Sequence, residues 1–209
     1  ATWWQPEETP TLFRLHAPGA PDTPLTIEIP FYNGQAQPYM IKAQVWMKLE
    51  VNKSRDYFVP EFLLDYSLPD TPPWIRESAQ QLYNAKSAII KANQRLMLGS
   101  AILPLLDALG LQAQTIHLNE QHGVSVTLHM ILRELQQRLG PCYADIMTDA
   151  DITQAAEMVA KRIVYTIHTP VKAGHDRFSR DLYTSISHRA FQRLLTLRSH
   201  DAGQTQEYN

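Results

Sequence analysis

Cysteine is almost missing from this sequence. Cys142 stands alone among 209 residues, so no internal disulfide can close and no second thiolate is available for a zinc site. The thiol reads as a packing side chain in a reducing compartment. A charge excess is missing too: 19 Lys and Arg face 21 Asp and Glu, a formal net charge of −2. That balance excludes a polybasic surface for nucleic acid and an acidic tail. No window approaches the roughly 18 uninterrupted apolar residues of a membrane helix. The opening ATWWQPEETP lacks a basic stretch followed by an apolar one, so it is no secretory signal, and a cytoplasmic location is expected. Glycine-rich phosphate cradles (GxGxxG, GxxxxGK[ST]), a G-x-S-x-G elbow and an HExxH pair are all absent. Nucleotide binding, serine hydrolysis and zincin chemistry therefore have no support. What is present is a hydrophobic content of 44%, enough at this length for a packed core.

Proline is unevenly spent along the chain, with 11 of the 14 before residue 74. Proline cannot donate to a helix or a sheet ladder, so residues 1–72 should be loops and short strands, followed by a helix-rich α/β part at 73–200 and a polar tail at 201–209. In LTIEIPF, residues 25–31, Leu25, Ile27 and Ile29 alternate with Thr26 and Glu28, the period of a half-buried strand. The turn residues YNGQ follow. A second strand is expected over 40–51, apolar at Ile41, Ala43, Val45, Met47 and Leu49, with Trp46 an exception on the polar face. A third, over 57–65, contains Pro60 and suits an edge, so the three form a meander. Beyond residue 73, leucines and isoleucines recur at helical spacing to Gly110, and a second amphipathic helix covers 124–140. A third helix, with an Asp cap, covers 149–162, and a last one covers roughly 179–198. Short β-compatible runs at 114–118 and 163–168 separate them, which points to alternating helices and parallel strands.

In an open parallel sheet, ligands bind beyond the carboxyl ends of the strands. Two such ends are unusually polar: IHLNEQHG (116–123), with Asn119, Glu120 and His122, and IHTPVKAGHD (167–176), with His168 and Thr169. Each has a plain structural reading. His168 could be a hydrogen-bonded loop histidine, Asn119 and Glu120 could cap the next helix, and Thr169, Pro170 and Gly174 could make a turn. Histidines 117, 122, 129, 168 and 175 also raise a metal site, but His122 and His129 are two helical turns apart rather than i, i+4. No metal is assigned. Two successive strand ends of the same polar character favour a ligand rim.

At these strand ends the sequence resembles the α-glucan (glycogen, starch, maltodextrin) phosphorylases. IHLNEQH is similar to their H-L-N-E-G-H segment, and YTIHTPVKAGHDRF to their T-H-T-P-V-P-A-G-H-D-x-F segment, in the same order. AQVWMKLEV with YFVPEFLLDYSLPD, RLMLGSAILPLLDALG and WWQPEETP resemble further segments of the family, from about Trp3 to Phe178. The resemblance implies part of the N-terminal Rossmann-like domain of a GT-B glycosyltransferase. Such enzymes move glucosyl units from the non-reducing end of an α-1,4-glucan to phosphate, with pyridoxal phosphate as acid–base partner. It implies that His168 contacts the glucosyl residue through its carbonyl and ring, with Asn119, Glu120, His122 and Thr169 lining the sugar site. The family's cofactor lysine and its glycine-rich phosphate loop have no match here, so no cofactor-binding residue is assigned. The isolated chain is expected to be inactive without missing parts of the same enzyme. Departures stand at Gln121, Lys172, the NQR of 93–95, and Ser100–Ala101 in place of a glycine pair. They leave open a noncatalytic carbohydrate-binding or assembly module of the same fold.

Overall fold

The structure, a computed structural model, describes residues 9, 11–31, 39–80, 87–171, 176–179, 181–182 and 186. The YNGQ turn, the 201–209 tail, most of the helix expected over 179–198 and the WWQPEETP run up to residue 8 lie outside them, as do Lys172, Gly174 and His175.

The fold is mixed α/β. Among the described residues, eight strands run in chain order with five helices: β1 (Leu12–Arg14), β2 (His16–Ala17), β3 (Ala20–Pro24), β4 (Thr26–Phe31), β5 (Tyr39–Val51), β6 (Phe58–Asp65), α1 (Pro73–Gln80), α2 (Ala88–Ala108), β7 (Ile116–Asn119), α3 (Ser125–Leu139), α4 (Tyr143–Ile146), α5 (Asp149–Ala160) and β8 (Ile163–Thr166). The expected meander is present, antiparallel throughout, with β4 pairing β5 and β5 pairing β6. Strand β1, which the proline-rich stretch concealed, pairs with β5 beyond the end of β4. Pro60 sits on β6, whose one described partner is β5, so its missing N–H faces no ladder.

Alternation decides this sheet. Ile27, Ile29, Phe31, Ile41, Ala43 and Val45 all point into one core, where α1 and α2 close over them with Ile75, Leu96 and Met97. Trp46, out of phase in the pattern, is nevertheless 2% exposed. The Arg14 guanidinium from its cross-strand partner lies 4.9 Å from the indole centroid and supplies a cation–π cover.

Helix α2 is apolar nearly all round because it serves two cores. Ala92, Leu96, Met97 and Ala101 face the sheet, while Leu103, with Ile102 and Leu106, faces a second cluster built from α3, α5 and β7. At Gly99 the start of α3 comes so close that a Cβ would lie 1.9 Å from the Ser125 Oγ and 2.7 Å from the Val126 nitrogen. Gly110 and Gly140, beyond α2 and α3, have φ of +65° and +83°, as their places after the apolar periods predict. The expected Asp cap of α5 is corrected by one residue. Thr148 is the N-cap, its side chain accepting from the Asp151 amide while the Asp151 carboxylate accepts from the Thr148 amide.

Strands β7 and β8 form a parallel pair of their own, Ile116 opposite Ile163 and Asn119 opposite Thr166. The helices α3 to α5 make the crossover between them. Leu118 and the inner flanks of Ile116 and Ile163 pack on the second core.

Candidate functional site

The site grows from the parallel pairing itself. Because β7 and β8 run side by side in register, their carboxyl ends arrive together, and the Glu120 amide extends the ladder by donating to the Thr166 carbonyl at 2.9 Å. Glu120 then turns the chain with φ +58°, a left-handed conformation that an L residue keeps only where its surroundings hold it. Here they do. Its side chain lies inside the molecule at 5% exposure, and its Oε1 accepts from the His168 amide at 3.0 Å, the Thr169 amide at 2.8 Å and the Thr169 hydroxyl at 2.7 Å. The Thr169 hydroxyl, then the His168 amide, hold the carboxyl below the ordinary Glu value. One carboxylate oxygen thus ties the end of β7 to the first residues after β8.

His168 is gripped from a second side. Its Nε2 lies 3.0 Å from the Asn119 Oδ1 and its Nδ1 3.2 Å from Glu120, so each ring nitrogen faces an acceptor oxygen. Asn119 and His168 are exposed, Thr169 is half-buried, and Glu120 lies beneath them. Four of the five residues singled out from the sequence therefore share one hydrogen-bonded cluster. Glu120 does not cap the helix that follows: the N-cap of α3 is Val124, which makes no side-chain cap, so that plain alternative is set aside.

His122 goes elsewhere. Its Nδ1 accepts from Arg95 on α2, and Arg95 also pairs with the Asp176 carboxylate, whose other oxygen takes Lys91 Nζ at 2.9 Å. Arginine is always a donor, so His122 is neutral with its proton on Nε2. Burial first, then the Arg95 charge, push its pKa below the ordinary value of 6.5 against the opposing pull of Asp176 and Glu120. Burial raises the Asp176 carboxyl, but Lys91 and Arg95 together outweigh it and hold it low. This ion cluster joins α2, the turn after β7 and the segment after β8. Sequence reading missed Lys91 and Arg95; their i, i+4 spacing, which stacks two cations on one helix face, was the available signal.

Two further histidines of those raised above, His117 and His129, have separate partners. His117 Nε2 meets the Thr166 Oγ1 at 2.7 Å across the β7–β8 pair, and His129 Nε2 meets the Ser100 Oγ at 2.7 Å between α2 and α3. Ser100, one of the departures from the family pattern, thus has a structural use. A hollow of about 130 Å³ lies apart from the strand ends, between Leu103, Met130, Met158 and Arg162.

No family model matches the chain. Among curated proteins it is similar to maltodextrin phosphorylase from Thermococcus litoralis, 30% identical over 175 residues, which are 84% of this chain and 18% of that protein. It is also similar to glycogen phosphorylase from Aquifex aeolicus, 30% identical over 128 residues, 61% of this chain and 16% of that protein. The chain thus spans less than a fifth of the length of the curated relatives it matches.

Proposed function

From the premise that this chain belongs to the α-glucan phosphorylase family, we propose that it forms the sugar-facing part of the N-terminal, Rossmann-like domain of a GT-B enzyme. That enzyme transfers glucosyl units from the non-reducing end of an α-1,4-glucan to phosphate. The observation that carries the reading is the joined ends of β7 and β8, where Asn119, Glu120, His168 and Thr169 form one hydrogen-bonded rim.

On this reading the His168 backbone carbonyl faces the anomeric carbon and stabilises the positive charge that develops as the glycosidic bond breaks. The His168 ring, the Asn119 amide and the Thr169 hydroxyl are close enough together to serve the paired donors and acceptors of a pyranose. His122, held by Arg95 outside that rim, is left without a sugar contact on this reading.

Membership of that family implies pyridoxal phosphate, and no lysine of this chain is assigned to hold it. No step above runs through that cofactor. The family's cofactor lysine would come from elsewhere in the enzyme, and phosphate and glucan would be held between that part and this one.

Isothermal titration with maltooligosaccharides tests the reading. The chain should bind them weakly through the rim, and His168→Ala with Asn119→Ala should abolish the heat. Binding that survives both changes would refute the assignment. The pure chain should neither bind pyridoxal phosphate nor phosphorolyse maltoheptaose, because transfer requires all reactants held together and misplacement by about 1 Å costs on the order of a hundredfold.

A further inference from the structure

Glu120 is the most buried of the rim residues, and its contacts are all with its own chain. Its amide is spent on Thr166 and its Oε1 on three donors, so this one oxygen is committed to the chain and only Oε2 has no such hydrogen bond among the described residues. The useful question is what those contacts do to the groups that remain outside.

The answer follows from the planarity of one peptide. The Thr169 N–H and the His168 C=O belong to the same trans unit and point in opposite directions across it. Since the Thr169 N–H is aimed at the Glu120 carboxylate at 2.8 Å, the His168 carbonyl must point away from that carboxylate. The His168 N–H, held by the same oxygen at 3.0 Å, stops the preceding peptide from turning and fixes the second edge of the residue. No hydrogen bond reaches the His168 carbonyl oxygen from the described residues. A buried negative charge on the N–H side of a peptide also polarises it, drawing electron density toward its oxygen. The result is a carbonyl fixed in direction and enriched in negative charge.

We propose that Glu120 is a positioning residue: through the Thr169 and His168 amides it aims and polarises the His168 carbonyl toward the place where positive charge develops on the sugar. The inference rests on the sugar-site reading of His168 given above. A sugar-contacting Glu120 would touch ligand hydroxyls, whereas a positioning Glu120 acts entirely from behind. The titratable groups facing it are His168 after β8, Tyr165 on β8 and His122 in the turn after β7, with Arg95 and Asp176 beyond His122.

The test uses the full chain labelled with ¹⁵N and ¹³C. In the wild type the Thr169 amide proton and nitrogen and the His168 carbonyl carbon should follow one inflection, shared with the Glu120 carboxyl carbon and lying below the ordinary carboxylate range. In Glu120→Gln, which keeps an acceptor oxygen and removes the charge, that inflection should vanish and the Thr169 amide proton should move upfield at neutral pH. The wild-type titration stands by itself should the variant fold poorly. A ligand arm then separates positioning from a merely structural role. Maltotetraose and a protonated iminosugar are titrated into both chains, and the variant should lose about tenfold more affinity for the cationic ring than for the neutral sugar. Equal losses for the two ligands, or Thr169 and His168 shifts indifferent to Glu120, would overturn the proposal. If neither ligand binds either chain while the shared inflection is present, the sugar-site reading of the rim fails, and the hold of Glu120 on the carbonyl is supported on its own.

Discussion

The antiparallel sheet and the parallel β7–β8 pair are held by opposite means. In the sheet, Ile29, Ala43 and Val45 are completely buried and the side chains alternate about a common apolar core. In the parallel pair the strands are four residues each, and Val164, Tyr165 and Ile167 stand 44–59% exposed on β8 and just beyond it. What fixes the ends of that pair is polar: the Glu120 carboxylate, the Asn119–His168 contact, the His117–Thr166 contact and the ion cluster on α2. Apolar burial is non-directional and makes a fold robust, whereas hydrogen bonds and charges fix angles and make a site specific. Both regions rest on apolar cores, but at the ends of the parallel pair directed polar contacts set the geometry.

The largest way to break that division is at Gly99, where α2 serves both cores at once. Gly99→Ala would force a methyl group into the Ser125 side chain and the Val126 backbone, and should cost more than about 3 kcal/mol in urea unfolding. Sheet and site should fail together. Ile29→Ala strikes the sheet alone; about 3 kcal/mol should be lost, while the Thr169 amide signal keeps its wild-type position in whatever fraction stays folded. The reverse pattern is expected of Asp176→Asn. It should cost only about 0.5–1 kcal/mol, the range of partly exposed ion pairs, yet shift the His122 ring signals by freeing Arg95.

Acid sharpens the same contrast. The His122 pKa is lower in the folded state, so its contribution is complete above 6.5 and is lost as pH falls from there through the folded value. Glu120 and Asp176 are also held low; their contributions are complete above the ordinary 4.5 and 3.8 and disappear as pH falls through the folded values. Urea midpoints should therefore decline in two stages on acidification, and His122→Gln should erase the first. A flat profile down to about pH 5 would refute the neutral-imidazole assignment. The smallest effect is expected at Thr148→Ala, where loss of the α5 cap should remove about 1 kcal/mol or less and leave the rim signals unmoved.

How much of this was legible differs between the regions for the same physical reason. Alternation at 25–31 and 41–45 located β4 and β5 because each buried side chain leaves a mark in the pattern. Gly110 and Gly140 marked helix ends because their left-handed backbones favour residues without a Cβ. Strand β1 left no such mark: three residues among prolines have too short a period to show, and its pairing with β5 is a tertiary fact. At the site, the polar residues after β7 and β8 were visible as anomalies. Their division of labour was not, since nothing in HLNEQH says that Glu120 turns inward to the His168 and Thr169 amides while His122 turns toward Arg95.

The order of residues alone determined that the chain is α/β, where β4, β5, β6 and the longer helices lie, and that two strand ends carry polar groups. These properties are local, set by the period of side chains along a backbone and by the conformations open to glycine and proline. Only the tertiary structure decided that the two ends lie side by side, that Trp46 is covered by Arg14, and that one carboxylate oxygen faces the amides of residues 48 and 49 positions further on. Those outcomes depend on register between strands and on the direction of individual hydrogen bonds, and direction exists only once distant segments have met.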